Sequence, residues 1–316
     1  MGPRVPMIVV SPWSKGGWVD SQVFDHTSVL QFLERRFGVG EPNISPWRLA
    51  VAGDLTSAFD FADPDRHPPS SLSGPTRGDA DRVRAAQEQL DQVDVPPAFQ
   101  QAAPAQATGT RPSRALPYEL QADAVIEPGT SGVQITFSND GDAGAVFHVY
   151  DRLHLDRIPR RYTVEAGRSL VGSWDTNDDG GGYDLWVLGP NGFHRSLTGG
   201  VDWNGGAPAA EPAIVPQVAA EHAAGSRRLA LTLTSRGSAP CTFTVAPNAY
   251  RDDAPRTKIL AAGVEVTDRW DVGDEGGWYD LTVTVDEAPA FRRRFAGRLE
   301  NGEPGTSDPM MGVASA

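Results

Sequence analysis

The chain has 316 residues, which is long for one domain and sufficient for two or three domains with cores of ordinary size. Its 41 acidic and 28 basic side chains give a net charge of -13, which excludes a general nucleic-acid binder because a polyphosphate backbone is repelled. A partner that carries a cationic group is favoured instead.

The chain has no predicted membrane-spanning helix, because it contains no apolar run of about 18 residues. Met1–Trp13 does not have the pattern of an export signal. The single cysteine, Cys241, lies in an apolar, strand-like stretch and is predicted to be a small buried side chain rather than a nucleophile or a metal ligand.

The N-terminal part of the chain predicts a strand followed by a helix. Val5–Val10 is an apolar run typical of a buried parallel strand, and Val29–Arg36 carries apolar residues at helical spacing. Ser28 and Gln31 have the form of a capping box for that helix. Open α/β sheets place their chemistry at the carboxyl edge of the strands, and Phe24–Thr27 falls at this edge.

Residues 63–115 have the composition of a linker, rich in Pro, Ser, Gly and Gln, with one polar helix predicted over Asp81–Val93. A domain boundary is therefore expected there. Beyond it the sequence is duplicated, with residue i aligned to i+96 from Val133 to Val187 and a small shift that brings Phe193–Arg195 opposite Phe291–Arg293.

Each copy alternates apolar and polar residues over short runs separated by turn residues, which predicts an antiparallel sandwich in each copy. The predicted fold class is mixed: a truncated α/β tail over residues 1–62, two tandem all-β sandwich domains over 116–206 and 212–300, and a disordered tail over 301–316. Arg292–Arg294, the densest basic run, is interpreted as a solvated strand edge that discourages further pairing, with contact to anionic lipid as the alternative.

An acidic motif occurs once in each copy, as Trp174–Leu185 and Trp270–Leu281. The first copy has oxygen-bearing residues at three of the positions of a calcium loop, but Trp186 stands where a bidentate Glu is needed. The motif is therefore interpreted as a turn with a packed tryptophan, and no metal ligands are assigned in this chain.

Four stretches of the N-terminal part occur in a characteristic order: Arg4–Trp13, Ser21–Ser28, Glu41–Trp47 and Gly53–Phe61. Together they resemble the last part of the catalytic domain of bacterial phosphocholine-preferring phospholipases C of the non-haemolytic type, relatives of the acid phosphatases with an alkaline-phosphatase-like fold. The doubled β region resembles the duplicated C-terminal domain of the same proteins, so the resemblance extends to about Leu299.

The resemblance implies a phosphodiesterase that hydrolyses phosphatidylcholine to diacylglycerol and phosphocholine. Family members use a hydroxyl nucleophile and a divalent metal held by acidic and amide ligands, and no position here matches those motifs. The chain is therefore expected to be a C-terminal part of such an enzyme, with no cofactor of its own. A secreted or periplasmic location is expected because family members are exported.

Within this resemblance, His26 and Asp25 are the candidate catalytic residues, since a histidine beside a carboxylate could orient or protonate a phosphate ester oxygen. The alternative is that Asp25 only helps to cap the helix while His26 packs at its start. Trp13 and Trp18, with Trp47 nearby, are candidates for binding the quaternary ammonium of a choline headgroup, and core packing is the alternative.

Two functions therefore remain open. One is phospholipase C activity on a choline phospholipid, carried by the longer enzyme. The other is a non-catalytic pair of β-sandwich modules that positions a catalytic partner or contacts a membrane surface. The oligomeric state is not predicted by the sequence.

Overall fold

A computed structural model describes residues 5–67, 74–92, 94–95, 97, 100, 107–126, 129–200, 203–204, 207–208, 212–222 and 225–311. The α-helices of these residues are α1 (Thr27–Phe37), α2 (Pro46–Val51) and α3 (Arg77–Gln87). The strands are β1 (Pro112–Ser113), β2 (Leu120–Ile126), β3 (Gly132–Asn139), β4 (Ala145–Asp151), β5 (Arg160–Val164), β6 (Arg168–Asp175), β7 (Gly182–Leu188), β8 (His194–Gly200), β9 (Trp203–Asn204), β10 (Ala207–Pro208), β11 (Pro216–His222), β12 (Arg228–Ser235), β13 (Cys241–Pro247), β14 (Arg256–Leu260), β15 (Glu265–Asp271), β16 (Trp278–Val285), β17 (Arg292–Arg298) and β18 (Gly305–Thr306).

The duplication predicted from the sequence is confirmed strand by strand. Strands β2 to β8 recur as β11 to β17, and their pairings recur with them. In the first repeat, β2-β3-β6 form one antiparallel sheet and β5-β4-β7-β8 belong to a second; the second repeat matches them with β11-β12-β15 and β14-β13-β16-β17. Each repeat is therefore an antiparallel two-sheet sandwich, as the alternating pattern predicted.

The two sandwiches share one sheet. Strand β8 pairs with β17 and joins the two four-stranded sheets into a continuous eight-stranded sheet of order β14-β13-β16-β17-β8-β7-β4-β5. In this register Ser196 lies opposite Arg294, and these two residues occupy equivalent positions in the repeats. An approximate two-fold axis passes between them, so each repeat covers the strand edge that the other would leave open.

The prediction that Arg292–Arg294 forms a solvated strand edge is wrong. Strand β17 has a neighbour on each side, and the Arg293 side chain is only 2% exposed. Arg294 lies on the opposite face, where its Nε donates to the Asp280 carboxylate at 2.8 Å. Residues along a strand alternate between faces, so the middle arginine of the run enters the sandwich while its neighbours do not.

The two cores are built from equivalent positions of the two repeats. Ile135, Phe137 and Phe147 are fully buried in the first, and Leu231, Leu233 and Phe243 in the second. The motif tryptophans, at 6% and 0% exposure, pack into these cores as predicted. Cys241 is also buried in the second core, with its sulfur 3.3 Å from the Ser235 hydroxyl, which confirms its prediction as a packed side chain.

The expected α/β character of residues 1–62 is not confirmed. Val5–Val10 is not a strand, and Ile8 and Val10 are 85% and 92% exposed, so the prediction of a buried parallel strand is wrong. A parallel strand is buried only when neighbouring strands and helices cover it, and no described strand lies beside this run. The segment from residue 5 to residue 62 consists instead of α1, α2, a short 3-10 helix at Thr56–Ala58 and connecting loops, with one β-bridge from Val19 to Ser113.

Helix α1 begins two residues earlier than predicted and is not capped by a Ser28 to Gln31 box. The carboxylate of Asp25 accepts hydrogen bonds from the Thr27 amide at 2.7 Å and the Thr27 hydroxyl at 2.6 Å. The helix ends at Phe37. The next residue, Gly38, has a left-handed φ of 69°, and its amide donates a hydrogen bond to the Glu34 carbonyl that closes the last turn. Its buried residues are Ser28 and Gln31, whereas its apolar residues Val29, Leu30, Leu33 and Phe37 are exposed.

The N-terminal segment is anchored on the first repeat by polar contacts. The Gly144 amide donates to the Ala50 carbonyl at 2.8 Å, and the Val23 amide donates to the Tyr118 hydroxyl at 3.0 Å. In addition, the Trp47 indole donates to the Thr163 hydroxyl at 3.0 Å. These contacts determine how α1 and α2 lie against the sandwich.

The predicted linker and tail are partly ordered against the sandwiches. The polar helix α3 starts at Arg77, with Thr76 and Asp79 in a reciprocal capping box, rather than at Asp81 as predicted; Val93 lies outside the described residues. Strand β1 of the linker pairs with β18, and the Tyr250 hydroxyl donates to Asp308 at 2.9 Å. The prediction of a disordered tail is therefore wrong for residues 305–308, and residues 312–316 lie outside the described part.

Candidate functional site

Asp25 has a structural role in the fold. Besides accepting two hydrogen bonds from Thr27, its carboxylate forms an ion pair with Arg48 at the start of α2. Burial alone would raise the pKa of Asp25, but the hydrogen bonds from Thr27 and the ion pair with Arg48 outweigh it, so its pKa is lowered. Asp25 is therefore an ionised acceptor that joins two helices, and it is not suited to donate a proton.

His26 lies beside Asp25 in sequence but does not contact it in the structure. It occupies the residue before α1, has helical backbone angles and makes no capping hydrogen bond through its side chain. The imidazole is exposed and has no hydrogen-bond partner among the residues that the structure describes. The ring is thus free to meet a ligand, whereas the alternative of packing at the helix start is not what the fold shows.

The tryptophans predicted for headgroup binding are engaged separately. Trp13, at 38% exposure, lies 6.3 Å from the Phe61 ring, and Trp18 is covered by the Arg114 guanidinium at 4.3 Å from its ring. Within the described residues, no ring contact joins the two indoles. Trp18 therefore already binds a cation, and a choline group would have to displace Arg114 to use that ring face.

An open cleft separates the N-terminal segment from the first repeat, with a volume of about 560 Å³. Arg35 of α1 and Asp54 form an ion pair of 2.5 Å at its wall, and Asp142 and Glu165 of the first repeat line the other side. Burial acts to raise the pKa of Asp54, but hydrogen bonds from Thr56 and the contact with Arg35 lower it in sum. The cleft is thus lined by one arginine, Arg35, which is already paired with Asp54, and by the two further carboxylates of Asp142 and Glu165.

The structure does not bring the predicted residues into this cleft. His26, Asp25, Trp13 and Trp18 do not line it. Asp54 could have been found from the sequence, since it belongs to one of the four stretches that carry the family resemblance, but no motif indicated Arg35 or the facing carboxylates. Their proximity arises only from docking of the helices on the sandwich.

The acidic motifs form turns, as the sequence analysis proposed. The Asp175 carboxylate accepts the Asn177 amide at 3.0 Å, and at the equivalent place Asp271 accepts the Gly273 amide at 3.1 Å. Among the residues described, no three His, Cys, Asp or Glu side chains are grouped in a way that could hold a metal ion. The described residues of the acidic turns therefore do not form a metal centre.

Comparisons with known proteins cover the chain from end to end. The family model described as "Bacterial phospholipase C, C-terminal domain" matches residues 112–200 and 216–298, and that of the phosphoesterase family matches residues 1–40.

No described helix is long and apolar enough to cross a membrane.

Three individual relatives match over nearly the whole chain. The non-hemolytic phospholipase C of Pseudomonas aeruginosa is 47% identical over 315 residues, which is 100% of this chain and 44% of that protein. The corresponding protein of Burkholderia pseudomallei is 45% identical over 99% of this chain and 44% of its own length. The hemolytic phospholipase C of P. aeruginosa is 38% identical over 100% of this chain and 46% of its own length.

The chain therefore spans less than half the length of the curated relatives that it matches. The family model, however, covers both sandwiches, and with them more than half of this chain. The two family models also follow the order of the observed parts, with the phosphoesterase match on the helical segment and the C-terminal domain match on the repeats. The chain belongs to the family of bacterial phospholipases C that carry this C-terminal domain.

Proposed function

We propose that this chain acts as the C-terminal part of a phospholipase C that hydrolyses the phosphodiester of phosphatidylcholine to diacylglycerol and phosphocholine. The observation that carries the proposal is the 47% identity to a non-hemolytic phospholipase C over 315 residues, which includes the helical segment as well as both sandwiches. A module recruited for another purpose would not be expected to keep both parts together in this order.

The proposed chemistry assigns only part of the reaction to this chain. The hydroxyl nucleophile and the divalent metal belong, in this proposal, to the remaining part of the longer enzyme. His26, with its exposed and unpartnered imidazole, is the residue proposed to orient or protonate a phosphate ester oxygen. Asp25 contributes indirectly, by capping α1 and so fixing the backbone that carries His26.

The proposed substrate has a choline headgroup, for which Trp13 offers an exposed aromatic face and Trp18 a face from which the headgroup would displace Arg114. The net charge of -13 also suits a ligand with a cationic group. A secreted or periplasmic location and contact with a membrane surface belong to the same proposal, since the substrate is a membrane lipid.

The β-sandwich pair is proposed to serve as a base that positions the catalytic part. Two observations favour this second role. The eight-stranded sheet makes the two repeats one continuous body, and the helical segment is anchored on that body through Gly144, Tyr118 and Thr163. Because His26 directly precedes α1, any movement of the anchor would move the proposed site.

A chimera tests the proposal directly. Residues 1–316 replace the matching part of the P. aeruginosa non-hemolytic phospholipase C, and phosphocholine release is measured from phosphatidylcholine and from a soluble chromogenic phosphocholine ester. We expect hydrolysis of both substrates at a rate comparable with the parent. A chimera that melts cooperatively but hydrolyses neither would contradict the proposal.

The chain alone provides the second arm of this experiment. We expect residues 1–316 without further sequence to show no hydrolysis above the His26→Ala variant, since the nucleophile is assigned elsewhere. Hydrolysis by the unaltered chain that His26→Ala abolishes would instead place the whole reaction within these 316 residues.

A further inference from the structure

The loop between β4 and β5, residues 152–159, holds its aliphatic side chains in solvent. Leu153, Leu155 and Ile158 are 48%, 69% and 82% exposed. Single exposed aliphatic residues are ordinary on protein surfaces, but three within six positions of one loop form a concentrated apolar tip. Such a tip is unfavourable in water unless something covers it.

The polar side chains of the same loop point back to the protein and anchor it. The Arg152 guanidinium contacts Asp184 at 3.1 Å and stacks on the Trp186 ring at 4.3 Å. His154 contacts Asp179 of the acidic turn at 2.8 Å, a partner that the sequence did not reveal. The loop is thus held in place by its polar residues, and the arrangement is the reverse of that expected for a loop that faces only water.

A third contact, between Arg157 and Asp151 at 3.2 Å, closes the base of the loop. The backbone adds turn hydrogen bonds from the His154 amide to the Asp151 carbonyl at 3.2 Å and from the Arg157 amide to the His154 carbonyl at 3.0 Å. The aliphatic side chains are therefore presented by an ordered loop.

The equivalent loop of the second repeat shows that the fold does not require this exposure. Its residues at the positions of the three aliphatic side chains are Ala249, Arg251 and Ala254. Arg251 is largely buried and donates to the Asp271 carbonyl at 2.8 Å. The two copies keep the same sandwich, so the apolar tip is a property of the first repeat alone.

A cationic and an aromatic side chain lie along β5, the strand that follows the loop. Arg161, the second residue of β5, is exposed, and its guanidinium makes no hydrogen bond or ion pair with any residue that the structure describes. Two residues further on the same strand face, Thr163 accepts the indole hydrogen of Trp47, which is 39% exposed. A tryptophan with one end bonded and one face exposed is typical of protein surfaces at a membrane interface.

We propose that the β4–β5 loop is a membrane-insertion loop that docks the protein on a phospholipid bilayer. In this arrangement Leu155 and Ile158 enter the boundary between headgroups and acyl chains, and Leu153 borders them. Arg161 and the outer edge of Arg157 contact lipid phosphates. The inference rests on the proposed function in one respect, because a phospholipase must bring its site to a bilayer.

A bilayer fits this surface better than a protein partner does. The apolar residues project from a narrow loop and border no described cleft, so they suit a fluid lipid phase that closes around them. Among the arginines of the loop and the start of β5, Arg152 and Arg157 are paired with carboxylates and Arg160 donates to the Ser173 carbonyl. The guanidinium of Arg161, which has no such partner among the described residues, is complementary to a lipid phosphate.

Vesicle binding by residues 1–316 tests the inference. The wild-type chain, the double variant Leu155→Ser/Ile158→Ser and the matched control Ile259→Ser are mixed with phosphatidylcholine vesicles, with and without added phosphatidylglycerol. Ile259 is a suitable control because it is 77% exposed but lies on β14 of the second repeat. We expect the double variant to lose at least tenfold in its partition coefficient and the control to bind as the wild type does.

Two further measurements locate the contact. A Leu155→Trp variant should show a blue-shifted fluorescence maximum with vesicles, because its indole leaves water. Arg161→Glu should weaken binding more when phosphatidylglycerol is present. Equal vesicle binding by wild type and double variant, or no binding by a folded wild type, would overturn the inference. An unshifted Leu155→Trp spectrum would do the same and would favour a protein partner.

The chimera separates this inference from the proposed function. With Leu155→Ser/Ile158→Ser we expect hydrolysis of the soluble ester to persist while hydrolysis of vesicle phosphatidylcholine falls at least tenfold. An unaltered chimera that is folded, binds vesicles and hydrolyses neither substrate would contradict the proposed function while the binding data still support the loop. Equal loss of both activities in the double variant would count against the loop.

Discussion

The guanidinium of Arg195 in the first repeat donates to the hydroxyl of Tyr279 in the second, at 3.1 Å. The reverse contact also exists, since Arg293 of the second repeat donates to Tyr183 of the first at 2.5 Å. Both arginines are 2% exposed. The two contacts are related by the approximate two-fold axis, so each sandwich inserts one cation into the other.

Each guanidinium also contacts a backbone carbonyl and an aromatic ring. Arg195 donates to the Ala296 carbonyl at 3.1 Å and lies 4.1 Å from the Phe193 ring. Arg293 donates to the Thr198 carbonyl at 2.7 Å and lies 4.2 Å from the Phe291 ring. The Nε atom of each is buried without a partner in the described part of the chain. Each buried guanidinium therefore depends on the few hydrogen bonds that its other nitrogens make.

Tyr279→Phe should therefore lower the free energy of unfolding by about 1–3 kcal/mol, because it leaves a buried guanidinium hydrogen unpaired. The equivalent Tyr183→Phe should have a similar effect. Chemical denaturation checks this for both variants and for double-mutant cycles that combine each of them with Arg195→Met or Arg293→Met. We expect a coupling free energy in the cycles for Arg195 with Tyr279 and for Arg293 with Tyr183. Destabilisations that simply add in those two cycles would contradict the crossed contacts.

Gly141 and Gly237 occupy equivalent positions where the chain passes very close to another backbone. A Cβ atom at Gly141 would lie 2.3 Å from the Pro117 carbonyl oxygen, and one at Gly237 would lie 2.1 Å from the Ala213 carbonyl oxygen. Gly141→Ala should destabilise the protein by about 1–3 kcal/mol, because backbone must move to admit the methyl group. Gly132→Ala is the matched control, since its nearest neighbour lies at 3.9 Å, and equal thermal melts of the two variants would refute the prediction.

His194 should make the stability of the protein depend on pH. Burial, followed by the charges of Arg294 and Arg195, lowers its pKa from 6.5 to about 4, against an opposing effect of Asp280. Between pH 6.5 and about pH 4, His194 is therefore protonated in the unfolded chain but neutral in the folded protein. Stability from this group is complete above pH 6.5 and is lost as the pH falls towards 4, by up to about 3 kcal/mol.

His194→Gln should reduce this pH dependence, measured as urea unfolding at a series of pH values. The matched control is His26→Gln, because His26 is exposed. The ring of His194 also lies edge-on to Trp186 at 5.8 Å, so its protonation should alter the emission of this tryptophan, one of eight in the chain. An identical slope of stability against pH in wild type and His194→Gln would show that another group is responsible.

Asp25 and His26 should separate in their effects. Asp25→Ala removes the Thr27 cap and the partner of Arg48, so it should lower stability by about 1–2 kcal/mol. His26→Ala should leave the melting temperature unchanged, because its ring makes no described contact, yet it should lower hydrolysis by the chimera by about 10²-fold if it acts as an acid or base. Wild-type activity in a stable His26→Ala chimera would remove His26 from the mechanism.

The duplication shows how much of the fold the sequence can predict. Alternation of apolar residues identified strands in both copies, and the constant spacing of 96 residues related β3–β7 to their counterparts. These features are local, because side chains alternate with the pleat of any strand and turns require particular residues. The family of the chain was likewise readable from ordered motifs in the sequence.

Contacts between distant segments could not be read in this way. Arg293 has the composition of a surface residue, and only the pairing of β17 with β8 turns it into a buried bridge. Val5–Val10 is the opposite case, since its composition is that of a core strand but no described strand lies beside it. The amino-acid sequence indicates which residues would favour burial, whereas burial itself depends on which other segments pack against them.

The candidate site divides in the same manner. The sequence identified Asp25 and His26 as neighbours at a helix start, which the fold retains, but it did not predict that Asp25 is bound to Arg48 or that Trp18 is covered by Arg114. Strand identity, repeat and family were determined by the amino-acid sequence, because they depend on short-range periodicity and motif order. The shared sheet, the crossed arginines and the exposed β4–β5 loop were decided by the tertiary structure, because hydrogen bonding and desolvation act between segments that are distant in sequence.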